Sequence, residues 1–251
     1  GFSARILSSD KSKAKYVNSP ESIIYSKSNV LFGLHFAKEK IIKEDLCYLV
    51  EGNMDAVMMS QCGVQNVVAT SGTALTVQQI NLIKRYTRNV TVLYDGDSAG
   101  IKATFRAVNL FLEQGLNVRT VLFPDGEDPD SFARSRTADE FKAFLSDNSR
   151  NFILYKTDIL VKQAGNDPIK RAEMIKDIVY TISLVPDLLE RSTYLQQCSN
   201  LLQVDEVVLS NALKKQLRQN SFDKAKKGQS QEENIEIYLP TDQPVLPKQQ
   251  I

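Results

Sequence analysis

Two acidic words in the chain have the residue types and spacing for chemistry. Residues 46–57 read LCYLVEGNMDAV and residues 90–100 read VTVLYDGDSAG. In each, an apolar run rich in β-branched residues has the length of a strand buried in a parallel sheet, and it ends in carboxylates and a glycine. The first word supplies Glu51 and Asp55, the second Asp95 and Asp97. In an open α/β sheet, ligands bind in the crevice beyond the carboxyl ends of the strands, so these acids are expected to meet there. Carboxylates gathered in one crevice repel one another unless positive charge sits among them. The single histidine, His35, lies outside these words, and Cys47, Cys62 and Cys198 form no cluster, which leaves oxygen-only ligation. That donor set suits Mg²⁺ or Mn²⁺. Asp95 and Asp97, two apart in an extended end, point the same way. Asp55 falls in the first helical turn after Glu51. Asp128 and Asp130 repeat the two-apart spacing around Pro129, in the loop after the next strand.

The elements that must hold these acids follow from the hydrophobic pattern. Strands are expected at 47–50, 67–70, 90–94 and 118–123, alternating with helices at 54–62, 76–86 and 98–114, and a short helix at 29–43 precedes them. Thr76 is placed to cap its helix, and Gly63 and Gly115 to end theirs. The strand-helix-strand order with short links predicts right-handed crossovers and a central parallel four-stranded sheet flanked by helices. The Ser71-Gly72-Thr73 junction lies near the same crevice. It reads either as an ordinary turn and cap or as a backbone-amide contact to a phosphate. Beyond Asp130 the pattern is helical, at 131–145, 151–163, 169–185, 188–202 and 205–219, which predicts a small helical bundle with Asp187 as a cap. Residues 221–251 are polar and rich in Lys and Gln, a composition of flexible linkers. The chain thus divides into a basic lead-in (1–45), an α/β domain (46–130), a helical subdomain (131–220) and a linker (221–251).

Bulk properties narrow the class. At 251 residues, 42% hydrophobic and 24% charged, the chain is ordinary for a globular protein with one good core and a smaller second unit. A formal net charge of +1 excludes a general polyanion binder, so any nucleic-acid contact must come from local clustering. Three dispersed cysteines form neither a zinc site nor a disulfide framework and fit a reducing cytoplasm. No signal peptide or long apolar span is present, so no membrane partner is expected.

A Glu at one strand end followed by an Asp-x-Asp at another resembles the Toprim domain of bacterial primases, type IA and II topoisomerases and some nucleases. The further words YVNSPES (16–22), LFGL (31–34), VEGNMDA (50–56), YDGDSAG (94–100) and FPDGEDPD (123–130) occur in that order. As a set they resemble the catalytic core of bacterial DnaG-type replicative primases over about residues 1–200. The resemblance implies a Toprim fold and primer synthesis from ribonucleoside triphosphates on a single-stranded DNA template. It also implies two or more Mg²⁺ or Mn²⁺ ions at Glu51, Asp55, Asp95, Asp97, Asp128 and Asp130. Glu51, Asp95 and Asp97 are then the catalytic acids. Arg5, Lys15 and Lys27 match basic positions flanking the site, and Asn18 and Ser19 can hydrogen-bond phosphate or sugar. A zinc-binding domain and a basic subdomain normally precede this point in the family, so a chain beginning at Gly1 reads as a fragment. The replicative helicase is expected to bind through a carboxy-terminal domain absent from this chain.

The chemistry fits nucleotidyl transfer, in which two metals about 4 Å apart activate the 3′-hydroxyl and neutralise the leaving pyrophosphate. Glu51 serves the hydroxyl side, as metal ligand or as base. Three other readings compete. A Toprim topoisomerase or nuclease would need a cleavage tyrosine in an obvious context. A noncatalytic module for single-stranded DNA or a replication partner would not need six carboxylates beside its basic strip. A receiver-like phosphoacceptor would need an acidic pair on the first strand and a later lysine.

Overall fold

The computed structural model of the chain describes residues 2–5, 16–72, 74–94, 98–124 and 127–232. The lead-in forms an antiparallel pair, β1 (Ser3–Arg5) and β2 (Tyr16–Asn18), then a 3₁₀ turn at Lys27–Asn29 and helix α1 (Leu34–Glu44). The helix expected from residue 29 starts later because Gly33, at φ 81°, sits in the left-handed region and resets the chain direction. The α/β unit runs β3 (Cys47–Val50), α2 (Asn53–Gln61), β4 (Val67–Ala69), α3 (Val77–Lys84), β5 (Asn89–Tyr94), α4 (Ser98–Glu113) and β6 (Asn117–Leu122). These four strands are parallel, in the order β4-β3-β5-β6, as the strand-helix alternation predicts.

The sheet and the helices after it depart further from expectation. A fifth strand, β7 (Arg150–Asn151), pairs antiparallel with β6 and makes the sheet five-stranded. It is two residues long, too short for any alternation to reveal. The helix expected at 131–145 is instead α5 (Pro129–Arg134) and α6 (Ala138–Asn148). Thr137 starts the second by accepting from the Glu140 amide, while the Glu140 carboxylate accepts from Thr137 N, a capping box that restarts the helix. Helices α7 (Phe152–Ala164), α8 (Pro168–Ser183), α9 (Leu188–Leu202) and α10 (Glu206–Glu232) complete the chain. Asp187 caps α9 through the Leu189 and Glu190 amides, as expected. The last helix continues through Glu232, past residue 221 where the composition predicts linker. Buried Leu209 and Leu213 anchor its start, and the Lys, Gln and Ala residues that follow are good helix formers.

Alternation along the strands divides the interior into two cores. Leu49, Val68, Val90, Val92 and Val118 face α1, α3, α4 and the bundle α7–α10, whose Ile178, Leu195 and Leu209 share that core. Val50, Val67, Ala69, Leu93 and Val121 face α2, α5 and α6, where Phe132 and Phe141 fill the interior. A buried polar clasp ties the lead-in to this frame. Fully buried Gln79 on α3 donates to the carbonyls of Lys27 (3.0 Å) and Val30 (2.9 Å), and Phe32 bridges Ala69 of β4 in both directions. Thr76 caps α3 as the sequence predicts and also donates to Ser28 O.

Candidate active site

The strand order determines which residues meet. β5 lies between β3 and β6, so the three acidic words follow the carboxyl ends of three adjacent strands, spaced about 4.8 Å apart. The β3–β5 register pairs Leu49 with Val92; continued by two residues, it sets Glu51 level with Tyr94, one residue before Asp95. Helices α2 and α5 pack together and run in the same sense, since the Cys62 thiol, just past α2, reaches the Ala133 carbonyl near the end of α5. Their acidic first turns, with Asp55 and Asp128–Asp130, therefore lie at the same edge of the sheet.

Each described acid has a different local situation. Glu51 is exposed, and its carboxylate makes no ion pair or hydrogen bond with a described residue. Asp55 accepts from the Gly52 amide at 3.1 Å, closing the first turn of α2. A Cβ at Gly52 would lie 2.7 Å from Asp55 Oδ2, so a side chain there would push this carboxylate aside. Asp128 is the N-cap of α5 and accepts from Ser131 N at 2.7 Å. Asp130 accepts from Arg134 Nε at 3.0 Å, one turn along the same helix. Asp95 and Asp97 lie outside the described residues, as do Lys15 and the side chain of Arg5. Among the described residues no three His, Cys, Asp or Glu side chains are grouped to hold a metal ion. The charged groups that the three acidic words bring to the crevice are carboxylates. That chemistry fits a hard divalent cation, with Glu51 the acid left open for it.

In the lead-in, Lys27, Asn18 and Ser19 are the described candidates. Lys27 is held by its backbone: its amide donates to Glu21 Oε1 at 2.9 Å and its carbonyl accepts from Gln79. Its ammonium has no ion pair among the described residues. Asn18 donates its amide to the Ser71 carbonyl at 3.2 Å, while its Oδ1 is buried without a partner. Ser19 exchanges hydrogen bonds with the backbone of Phe2, which removes its hydroxyl from ligand contact. His35 is exposed and stacks edge-on with Phe36, consistent with a surface role. All three cysteines are free thiols, and burial pushes the Cys47 thiol far above the ordinary range. At the Ser71 junction the Gly72 amide donates to Glu51 O and not outward, so that amide does not await a phosphate; Thr73 lies outside the described residues.

Sequence reasoning missed Asn53 and Lys156. Asn53 Oδ1 accepts from Ser71 Oγ at 2.8 Å, and nothing in the word VEGNMDA marks that bond. Lys156, 2% exposed, donates to Asp177 Oδ1 at 2.7 Å and Thr181 Oγ1 at 2.8 Å. Its one sequence signal is a lysine on the apolar face of α7.

Comparison with known proteins agrees with this geometry. A family profile described as Toprim-like matches residues 48–133, and one described as the N-terminal domain of the DNA primase catalytic core matches residues 1–38. A third, described as the DnaB-helicase binding domain of primase, matches residues 155–206 on α7–α9. The sequence reading put a helicase-binding domain beyond the end of the chain, and this match corrects it. Amphipathic helices read alike whether they only pack or also dock a partner. The DNA primase of Clostridium acetobutylicum is 34% identical over 240 residues, 94% of this chain and 39% of that protein's length. The chain thus spans about two-fifths of that relative. A solved structure of the DnaG catalytic core is 33% identical with a TM-score of 0.71, over 83% of this chain and 68% of that one. Another, of a DnaG primase catalytic domain bound to single-stranded DNA, is 33% identical with a TM-score of 0.70, over 80% and 65%. With two-thirds of a solved DnaG core spanned at this identity, and a Toprim-like profile flanked by two primase profiles along the chain, the chain belongs to the DnaG-type DNA primase family.

Proposed function

We propose that this chain is the catalytic core of a DNA-dependent RNA polymerase that makes short RNA primers on single-stranded DNA. The observation that carries the reading is the placement of three acidic words beyond three adjacent parallel strand ends, with Glu51 open and the basic lead-in clasped beside them. Divalent cations held by Glu51, Asp95 and Asp97 would supply Lewis-acid charge at the attacking 3′-hydroxyl and at the departing pyrophosphate. Asp55 and Asp128 complete helix first turns at the rim, and Asp130 holds Arg134. In this reading they extend the set of acids that would hold the metal ions. Glu51 positions the hydroxyl side or accepts its proton. Lys27, with Arg5 and Lys15, neutralises phosphates of template or triphosphate.

The substrates in this reading are ribonucleoside triphosphates and a single-stranded template, such as the DNA held by a solved relative. The helical unit at 155–206 would engage a DnaB-type replicative helicase, as the matched profile's description says of its members. Among the described residues no helix is long and apolar enough to cross a membrane. The proposed activity itself would place the protein at a bacterial replication fork, in the cytoplasm. The test is template-directed synthesis by the complete gene product with all four ribonucleoside triphosphates and Mg²⁺ on single-stranded DNA. Short, alkali-labile products are expected. Their absence, or products made equally without template, would overturn the reading.

A further inference from the structure

Ser71 is one of three non-glycine residues with positive φ among the described residues, at 62°, and Gly72 follows at 70°. A serine in the left-handed region costs on the order of 1 kcal/mol and persists only where its surroundings over-determine it. Here they do. Asn18 of β2 donates to the Ser71 carbonyl at 3.2 Å, and Ser71 Oγ donates to Asn53 at the start of α2 at 2.8 Å. The result is a departure from the sheet pattern. Thr70 N bonds to Val50 O at 3.2 Å, so the next rung of a straight parallel ladder would run from Gly72 N to Gly52 O. Instead, Gly72 N bonds to Glu51 O at 3.1 Å, one residue short, and Thr70 Oγ1 reaches the same carbonyl at 3.4 Å. The left-handed step at Ser71 folds the β4 end back onto the peptide of Glu51.

We propose that Ser71, bolted by Asn18 and Asn53, is a positioning residue that fixes the backbone of Glu51 and thereby the direction of its carboxylate. The inference rests on reading Glu51 as a catalytic acid, and it gives Asn18 a new role. The Asn18 amide is oriented by the Ser71 carbonyl, which can only accept, so one of its two N–H donors is committed inside the protein. Its other end is a buried acceptor without a partner, which cannot hold a phosphate oxygen. Asn18 thus acts on the reaction through Ser71.

The test compares Ser71→Gly and Ser71→Asn with the parent in the complete gene product. Glycine relieves the left-handed strain but removes the hydroxyl, whereas asparagine tolerates that backbone and restores a donor. Ser71→Gly is expected to keep its thermal midpoint and lose on the order of 10- to 100-fold in kcat for primer synthesis. Its KM for ribonucleoside triphosphates stays within about twofold, since no substrate contact is removed. The Gly72 amide should exchange its hydrogen faster, and Ser71→Asn should recover both kcat and protection. A parent-like kcat, a loss confined to KM, or unchanged Gly72 exchange in Ser71→Gly would overturn the proposal. If the parent itself makes no primers, the functional reading fails on its own, and the Gly72 exchange still decides the positioning role.

Discussion

The buried lysine of the helical bundle gives a prediction with a worked magnitude. Lys156 Nζ donates to Asp177 and Thr181 and lies 5.2 Å from the centroid of Phe105 on α4, the helix that follows the second acidic word. Lys156 is 2% exposed, whereas the Asp177 side chain is 46% exposed, so water screens the pair from one side only. Asp177→Asn keeps the shape and replaces the ion pair with a bond from the ammonium to a neutral amide oxygen. The difference is about 1–2 kcal/mol, toward the lower end because of that screening. Lys156→Met removes the buried charge itself, leaving Asp177 solvated and Thr181 Oγ1 still bonded to Asp177 O at 2.9 Å. Its cost should be within about 1 kcal/mol of zero, and it could stabilise. Burial, the larger influence, pushes the Lys156 ammonium below the ordinary lysine range, and Asp177 pulls it back up. A cation with a lowered folded pKa weakens the fold fully below that value, and the penalty fades as pH rises toward the unfolded value of about 10.4. In Asp177→Asn the pull is lost, so the penalty grows and its relief begins at lower pH. Urea unfolding followed by circular dichroism at neutral and alkaline pH should show Asp177→Asn less stable than Lys156→Met at pH 7, with the Asp177→Asn deficit shrinking as pH rises. Equal losses in the two variants, or a deficit independent of pH, would refute the reasoning.

Three further outcomes follow. Gly52→Ala should cost about 1 kcal/mol, because the added Cβ pushes the Asp55 carboxylate off the Gly52 amide at the first turn of α2; thermal unfolding measures it. Asp95→Ala combined with Asp97→Ala should abolish Mn²⁺ binding in isothermal titration, and unchanged binding would remove those acids from the metal site. Lys27→Ala should weaken single-stranded DNA binding and reduce the slope of log K against log salt by about 0.7, the value of one phosphate contact; an unchanged slope would leave Lys27 as surface charge.

Much of the fold was legible because apolar runs of strand length alternate with amphipathic helices, and that order admits few topologies. Thr76 and Asp187 cap the helices that their chemistry predicts. The second edge strand escaped notice because Arg150–Asn151 is too short to show a period. The break between α5 and α6 was written in the sequence as the Thr137–Glu140 capping box, but the apolar spacing ran on across it. At the site, the acidic words located the crevice through the rule that strand ends bind ligands. What they could not give is how each acid is engaged, because Asp is as good a cap as a ligand. Asp128 and Asp55 close helix turns and Asp130 holds Arg134. Tertiary bonds such as Asn18 to Ser71 span 53 residues and leave no local trace.

The central claim is that the acidic crevice performs nucleotidyl transfer, and Glu51 is its most direct test. Glu51→Gln keeps the size of an exposed side chain and removes its charge, so the fold should survive. Losing one electrostatic contributor of this kind costs about 10² to 10³ in rate. Primer synthesis and single-stranded DNA affinity are measured together in the complete gene product. The account predicts that synthesis collapses by at least that factor while affinity for single-stranded DNA stays at the parent value. Undiminished synthesis, or a loss of synthesis matched by an equal loss of DNA affinity, would contradict it.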